Sequence, residues 1–351
     1  MTTITSPVPT THTSNAQRRH RVLVTRAIPD AALRELEATF DVESNQDDVL
    51  WPVHELIARL QGKDGVMTNG SLRIDAALLE ACPDLRICAN MAVGYNNFDV
   101  EAMTAHGVQG TNTPDVLTET TADFGFALLL ATARRVTESE RYLREGRWKG
   151  WRHDMFCGPD VHGATLGIIG MGRIGQAIAQ RAAHGFGMRV IYHNRSQLDA
   201  ATEQRLKARW VDKNTLLREA DHVMLVLPYS PAAHHTIGAA ELVLMKSTAT
   251  LVNLARGGIV DDAALAAALR ERRIAAAGLD VFEGEPSVHP DLLTVPNAVL
   301  TPHIASASTA TRLAMARLAA RNLQSYLLEG KAITPVNKLA NALASHRAAK
   351  A

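Results

Sequence analysis

Apolar positions along this chain follow two alternating rhythms. Short continuous runs read as buried strands, and longer stretches with an apolar residue every three or four positions read as amphipathic helices. In the first third, strands are predicted at Arg21–Thr25, Gly65–Thr68, Arg86–Asn90 and Gly107–Gln109. Helices are predicted between them at Ala31–Phe40, Val53–Leu60 and Ile74–Ala81. This alternation predicts a parallel sheet with helices on its faces. The run Thr111-Asn-Thr-Pro-Asp115 breaks the rhythm and reads as a connection between domains, followed by a helix over Thr118–Ala133.

A second series opens at Thr165. Its predicted strands are Leu166–Ile169, Arg189–Tyr192, His222–Leu227, Ala249–Asn253, Ala277–Asp280 and Ala298–Leu300, the complement of a full dinucleotide-binding sheet. An Ala-, Leu- and Arg-rich helix from about Ser308 to Leu328 has no strand after it and is expected to pack back on the first domain. The predicted fold class is therefore α/β, with two doubly wound parallel-sheet domains. A Rossmann NAD(P)-binding domain over residues 116–307 is expected to be inserted in a flavodoxin-like substrate domain of residues 21–115 plus 308–336. Residues 1–20 and 337–351 are expected to be flexible ends.

Composition changes this picture mainly by exclusion. A formal net charge of +1 over 351 residues supplies no basic field, so nucleic acid is not an expected partner. Three scattered cysteines make no disulfide framework, which fits a reducing compartment and a cytoplasmic location. No apolar run approaches the roughly 20 residues that cross a bilayer, and the first twenty residues lack the apolar core of a secretory signal.

The chemistry is concentrated in the strand–turn–helix from Thr165 to Ala183. A short apolar strand feeds into Gly170-Met171-Gly172-Arg173-Ile174-Gly175, and helix-forming residues follow at once. Gly170 permits a sharp turn, Gly172 lets a pyrophosphate approach the backbone, and Gly175 lets the helix pack on its strand. The helix N-terminus offers unpaired N–H groups and partial positive charge to the phosphates. After the second strand an acidic residue normally binds the adenine ribose of NAD, but here the chain reads Asn194-Arg195-Ser196. Arg195, helped by Asn194 and Ser196, would attract a 2′-phosphate, which favours NADPH; with only one plain basic residue, use of NADH stays open.

Three later segments carry reactive side chains at predicted strand ends: Leu254–Gly258 with Arg256, Gly278–Pro286 with Asp280 and Glu285, and Leu300–Ile304 with His303. Singly each reads as an ordinary loop; in this order after a dinucleotide turn they point to one site. Together with the stretch from Asp160 to Ala182, they make the chain from about residue 20 to 336 resemble the D-isomer-specific 2-hydroxyacid dehydrogenase family. Within that family it looks most like bacterial reductases of glyoxylate and hydroxypyruvate that also act on 2-ketogluconate.

The resemblance implies reduction of short 2-keto acids to D-2-hydroxy acids, with Arg256, Glu285 and His303 as the catalytic set. The roles are chemically coherent. An imidazolium can supply the proton for the carbonyl oxygen, a carboxylate on its other nitrogen would orient it, and a guanidinium can hold the substrate carboxylate. The resemblance further implies that main-chain N–H groups at Val93 and Gly94 bind that carboxylate. Thr121, Asp280, Leu227 and Pro228 are implied to lie by the cofactor, with Asp280 accepting from the carboxamide. Trp148 and Trp151 fall in a connection that the family extends toward a second subunit, so a homodimer is expected and Trp151 is a candidate to close the substrate site. Two departures stand out: Ile304-Ala305 replaces the family's Ile-Gly after the histidine, and the basic pair of many NADPH-using relatives is reduced to Arg195.

Phosphoglycerate dehydrogenase, or another NAD-dependent member of the family, is a weaker reading because the ribose-binding acid is absent. A reading of a different class is an NAD(H)-sensing corepressor, since such proteins retain similar Arg, Glu and His residues. The histidines include His234-His235, but no His-Glu-x-x-His or Cys-x-x-Cys spacing appears, and no metal is expected.

Overall fold

A computed structural model describes residues 18–339. Most of the expected flexible ends lie outside the described residues. Twelve strands are described: β1 Arg21–Val24, β2 Asp41–Ser44, β3 Gly65–Thr68, β4 Ile87–Asn90, β5 Gln109–Thr111, β6 Thr165–Ile169, β7 Arg189–His193, β8 Ala208–Trp210, β9 His222–Leu225, β10 Thr250–Asn253, β11 Ala276–Leu279 and β12 Ala298–Leu300. They form two sheets in which every strand pairing is parallel.

The chain divides into two compact units. One takes the described chain up to Asn90, Asp99–Thr111 and the described residues from Ala319; the other takes Met91–Phe98 and Asn112–Leu318. The first unit holds a five-stranded sheet of order β2-β1-β3-β4-β5, the flavodoxin-like arrangement. Its inner strands β3 and β4 are buried along their whole length, as sheets covered on both faces require.

The second unit holds seven strands in the order β12-β11-β10-β9-β6-β7-β8. Counted within the unit and read from β8, that is 3-2-1-4-5-6-7, the dinucleotide-binding order with one added edge strand. Two apolar clusters cover its faces. Leu216, Val223, Leu251, Leu265 and Leu279 belong to one, and Leu129, Ile168, Ile178, Tyr192 and Met224 to the other.

The sequence reading differs most from the structure at four strands, β2, β5, β8 and β9; it places β5 at Gly107–Gln109, whereas the strand is Gln109–Thr111. It leaves out β2 and β8, so its six-strand Rossmann sheet gains a seventh. Both are edge strands whose polar residues are partly or fully exposed, so neither carries the apolar run that marks a buried strand. It also extends β9 to Leu227, whereas the strand ends at Leu225 and residues 226–228 are loop. The helix Thr118–Ala133 is found at its predicted bounds, and the last helix runs Thr309–Glu329. No helix among the described residues is long and apolar enough to cross a membrane.

Candidate active site

The turn after β6 has the shape its glycines demand. Gly170 has φ +104°, and a Cβ there would lie 2.6 Å from the Leu227 nitrogen, so a side chain would break both the turn and its contact with the loop after β9. At Gly175 a Cβ would stand 2.3 Å from the Gly170 carbonyl oxygen, so the helix Arg173–Gly185 begins in direct contact with the turn. Beside Gly172 there is open space, the room an approaching phosphate needs. Arg173 opens this helix and pairs with Asp115 at 2.6 Å, leaving Ile174 beside it in the first turn.

Met171 does not offer its N–H outward. That group donates to Asn194 Oδ1 at 2.7 Å, and the Met171 side chain lies in the core. Asn194 thus pins the glycine turn to the end of β7, and Trp210 Nε1 donates to the Asn194 carbonyl at 3.2 Å. Tyr192 fixes the following bend: its hydroxyl donates to Glu203 at 2.7 Å and accepts from the Leu198 N–H at 2.8 Å. Burial, with Glu203 alongside, pushes the Tyr192 phenol up to about 12, so it remains a donor. Arg195 and Ser196 sit exposed on the bend so fixed. No ion pair engages Arg195 among the described residues, so its guanidinium is free to meet an anion.

The candidate catalytic side chains Arg256, Glu285 and His303 come from three loops at the C-terminal ends of β10, β11 and β12, where doubly wound sheets place their sites. His303 Nδ1 lies 2.8 Å from Glu285 Oε2. The other oxygen of Glu285 accepts from the Phe282 N–H at 2.9 Å. Burial alone would push this carboxyl up. The hydrogen bond and charge of His303, the Phe282 N–H and the charge of Arg256 outweigh it and hold Glu285 below its ordinary range. Glu285 is therefore an acceptor, Nδ1 carries its proton toward it, and Nε2 is the nitrogen left for exchange.

His303 takes a left-handed backbone conformation, φ +54°, that is unfavourable for a non-glycine residue. Asp280 holds the segment around it. Its Oδ1 accepts from Thr301 Oγ1 at 2.7 Å and from the Ile304 N–H at 2.8 Å, and its Oδ2 accepts from the Ala305 N–H at 2.8 Å. Asp280 is fully buried, and burial pushes its carboxyl up against the pull of those donors. The sequence reading missed this anchoring; three acceptor contacts spread over five residues of a distant loop leave no local signature.

Arg256 lies across Gly94. A Cβ at Gly94 would fall 1.9 Å from Arg256 Nη2, so only glycine leaves room for the guanidinium here. Arg256 Nε donates to Asn96 Oδ1 at 3.3 Å, and its Nη1 to the Ala255 carbonyl at 2.7 Å. Burial pulls its pKa down while Glu285 opposes that, and guanidinium remains charged. The loop that carries Val93 and Gly94 is tied by Asn112 Nδ2 to the Val93 carbonyl at 2.8 Å and by the Thr113 N–H to the Ala92 carbonyl at 2.9 Å. Asn96 is a residue that the sequence reading did not single out.

The remaining predicted residues are less tightly gathered. Thr121 is buried in the first turns of its helix, and Leu227 and Pro228 lie in the loop that closes on Gly170. Trp151 is 77% exposed, and its ring contact is with His153.

An open glycine turn on a Rossmann sheet, with a histidine–carboxylate pair and an arginine at the neighbouring strand ends, defines an NAD(P)-binding oxidoreductase. The model of the D-isomer specific 2-hydroxyacid dehydrogenase NAD-binding domain matches residues 126–305, and the chain belongs to that family. It is 48% identical over 307 residues to a glyoxylate reductase of Thermococcus onnurineus, covering 86% of this chain and 91% of the relative. A structure of a glyoxylate reductase from Paecilomyes thermophila superposes with a TM-score of 0.81 at 31% identity, covering 91% of this chain and 98% of that one. An NADPH-dependent glyoxylate/hydroxypyruvate reductase of Sinorhizobium meliloti, in complex with NADP and malonate, gives 0.78 at 35% identity, covering 92% and 100%.

Proposed function

We propose that this chain is an NADPH-preferring reductase of short 2-keto acids, with glyoxylate and hydroxypyruvate first and 2-ketogluconate as a further substrate. The observation that carries the reading is the His303–Glu285 pair at 2.8 Å beside an arginine seated on Gly94. Glyoxylate combines a carboxylate with an adjacent carbonyl, and this set answers both. Arg256 holds the carboxylate together with main-chain N–H groups at Val93 and Gly94, and polarises the carbonyl. His303 delivers a proton from Nε2 to the carbonyl oxygen and recovers one in the reverse direction, while Glu285 keeps the ring oriented.

Bound nicotinamide supplies the hydride. The chain's part is to cradle its phosphates at Gly170–Gly175, to meet the 2′-phosphate with Arg195, Asn194 and Ser196, and to border the ring with Thr121, Asp280, Leu227 and Pro228. The unengaged Arg195 supports NADPH as the preferred cofactor, with NADH used at a higher KM. A cytoplasmic homodimer in which Trp151 borders the partner's substrate site completes the reading; its exposure suits an aromatic anchor.

The test is steady-state turnover on glyoxylate, hydroxypyruvate, 2-ketogluconate and pyruvate with each reduced cofactor. The expected order places glyoxylate and hydroxypyruvate with NADPH highest in kcat/KM. Equal values for both cofactors, or pyruvate ranking first, would overturn it.

A further inference from the structure

A second cluster of side chains lies in the larger unit, on residues that the reduction above does not use. His234 and His235 stack face to face, with ring centroids 3.8 Å apart and an interplanar angle of 21°. Both rings turn their Nε2 atoms toward one carboxylate: His235 Nε2 lies 2.9 Å from Glu283 Oε2, and His234 Nε2 lies 3.7 Å from Glu283 Oε1. Candidate donor atoms of the three residues all lie within 4.8 Å of one another. Around a tetrahedral ion with bonds of about 2.0–2.2 Å, donors stand about 3.4 Å apart, so the two rings would open out of their stack by side-chain rotation to bring both nitrogens onto one ion.

The far nitrogen of each ring also meets an oxygen. Tyr229 Oη is 3.3 Å from His234 Nδ1, and Asp261 Oδ2 is 3.9 Å from His235 Nδ1. Metal-bound imidazoles characteristically have a hydrogen-bond partner on the second nitrogen, which fixes the tautomer and the ring direction; Tyr229 holds that place for His234, while Asp261 stands by His235 at charge-contact distance only. The backbone is set in advance. His235 is left-handed at φ +50°, and its N–H donates to the Gly258 carbonyl at 2.7 Å. The neighbouring Ile237 N–H donates to the Ile259 carbonyl at 3.1 Å.

We propose that His234, His235 and Glu283 form a transition-metal site that takes Zn2+ or a similar divalent ion, with water completing the coordination. Two imidazoles and one carboxylate suit such an ion better than Mg2+ or Ca2+, which prefer oxygen donors. Occupancy would tie the 231–235 segment to the loop that carries Glu285, and the site stands independently of the proposed reaction. No sequence motif announces it, because Glu283 lies 48 residues from His235.

The test uses the untagged full-length chain, stripped with a chelator and titrated with Zn2+ by calorimetry. A parallel titration with Co2+ reads the visible absorption of the bound ion. One equivalent of Zn2+ is expected to bind in the micromolar range. His234→Ala and Glu283→Gln should each weaken binding at least about tenfold, with unchanged circular dichroism. Cys157→Ser should leave it unaltered. Absence of stoichiometric binding to the wild type, or undiminished binding by both variants, would overturn the proposal.

Discussion

The two sheets each open with the same device, a strand that turns directly into a helix, and they use the turn in opposite ways. After β1 the turn is closed by the chain's own side chains. Asp48 accepts from the Ala27 N–H at 3.0 Å and pairs with both ends of the Arg26 guanidinium at 2.6 and 2.7 Å. Gln46 approaches the Ile28 N–H at 3.4 Å. The Arg26 hydrogen bonds, aided by the Ala27 N–H and working against burial, hold Asp48 down to about 2. A carboxylate thus takes up the Ala27 N–H of this turn. After β6 there is no such stopper among the described residues: glycines keep the turn bare, and Asn194 secures the Met171 N–H. Two α/β units can share this strand–turn–helix opening and still differ in what fills the turn.

That contrast can be broken by substitution. The largest effect is expected at His303: His303→Gln should lose two or more decades in kcat while NADPH binding, followed by fluorescence, stays at the wild-type Kd. Turnover near the wild type would remove His303 from proton transfer. Next comes Gly94→Ala, whose methyl would push Arg256 off its seat. We expect kcat/KM for glyoxylate to fall about tenfold or more, mostly through KM, with Tm little changed; an unaltered KM would show that Arg256 does not need this place.

Arg195→Ala should raise the NADPH KM about tenfold, a charge-assisted contact's worth, and leave the NADH KM alone. Equal effects on both cofactors would defeat the 2′-phosphate role. The smallest effect belongs to the closed turn. Asp48→Ala should leave both KM values and kcat intact and cost at most about 1 kcal/mol of stability, since the pair is partly exposed. The sign follows from the depressed carboxyl. Its contribution is present at neutral pH and is lost as pH falls from about 4 toward about 2, so the variant and the wild type should converge there in chemical denaturation.

Much of this was legible in residue order. The Gly170–Gly175 turn, the helix Thr118–Ala133 and most buried strands announce themselves through local pattern, because burial on both faces forces apolar runs. Edge strands β2 and β8 do not, since one side of each meets solvent and tolerates Asp41, Glu43 or Arg209. The contacts that give the site its geometry are also silent in sequence. Arg256 against Gly94, Asp280 beneath the His303 loop and Asn194 on Met171 each join residues far apart in the chain. Arg195 could be singled out because its position after β7 is fixed by topology. Its lack of an ion-pair partner could be seen only in three dimensions.

The most direct measurement is a single turnover. Enzyme saturated with one equivalent of NADPH is mixed rapidly with excess glyoxylate while the dihydronicotinamide absorbance is followed. The account predicts complete loss of that absorbance at about one per second or faster, with one equivalent of glycolate formed. Saturable NADPH binding with an absorbance that holds for minutes after glyoxylate is added would contradict it.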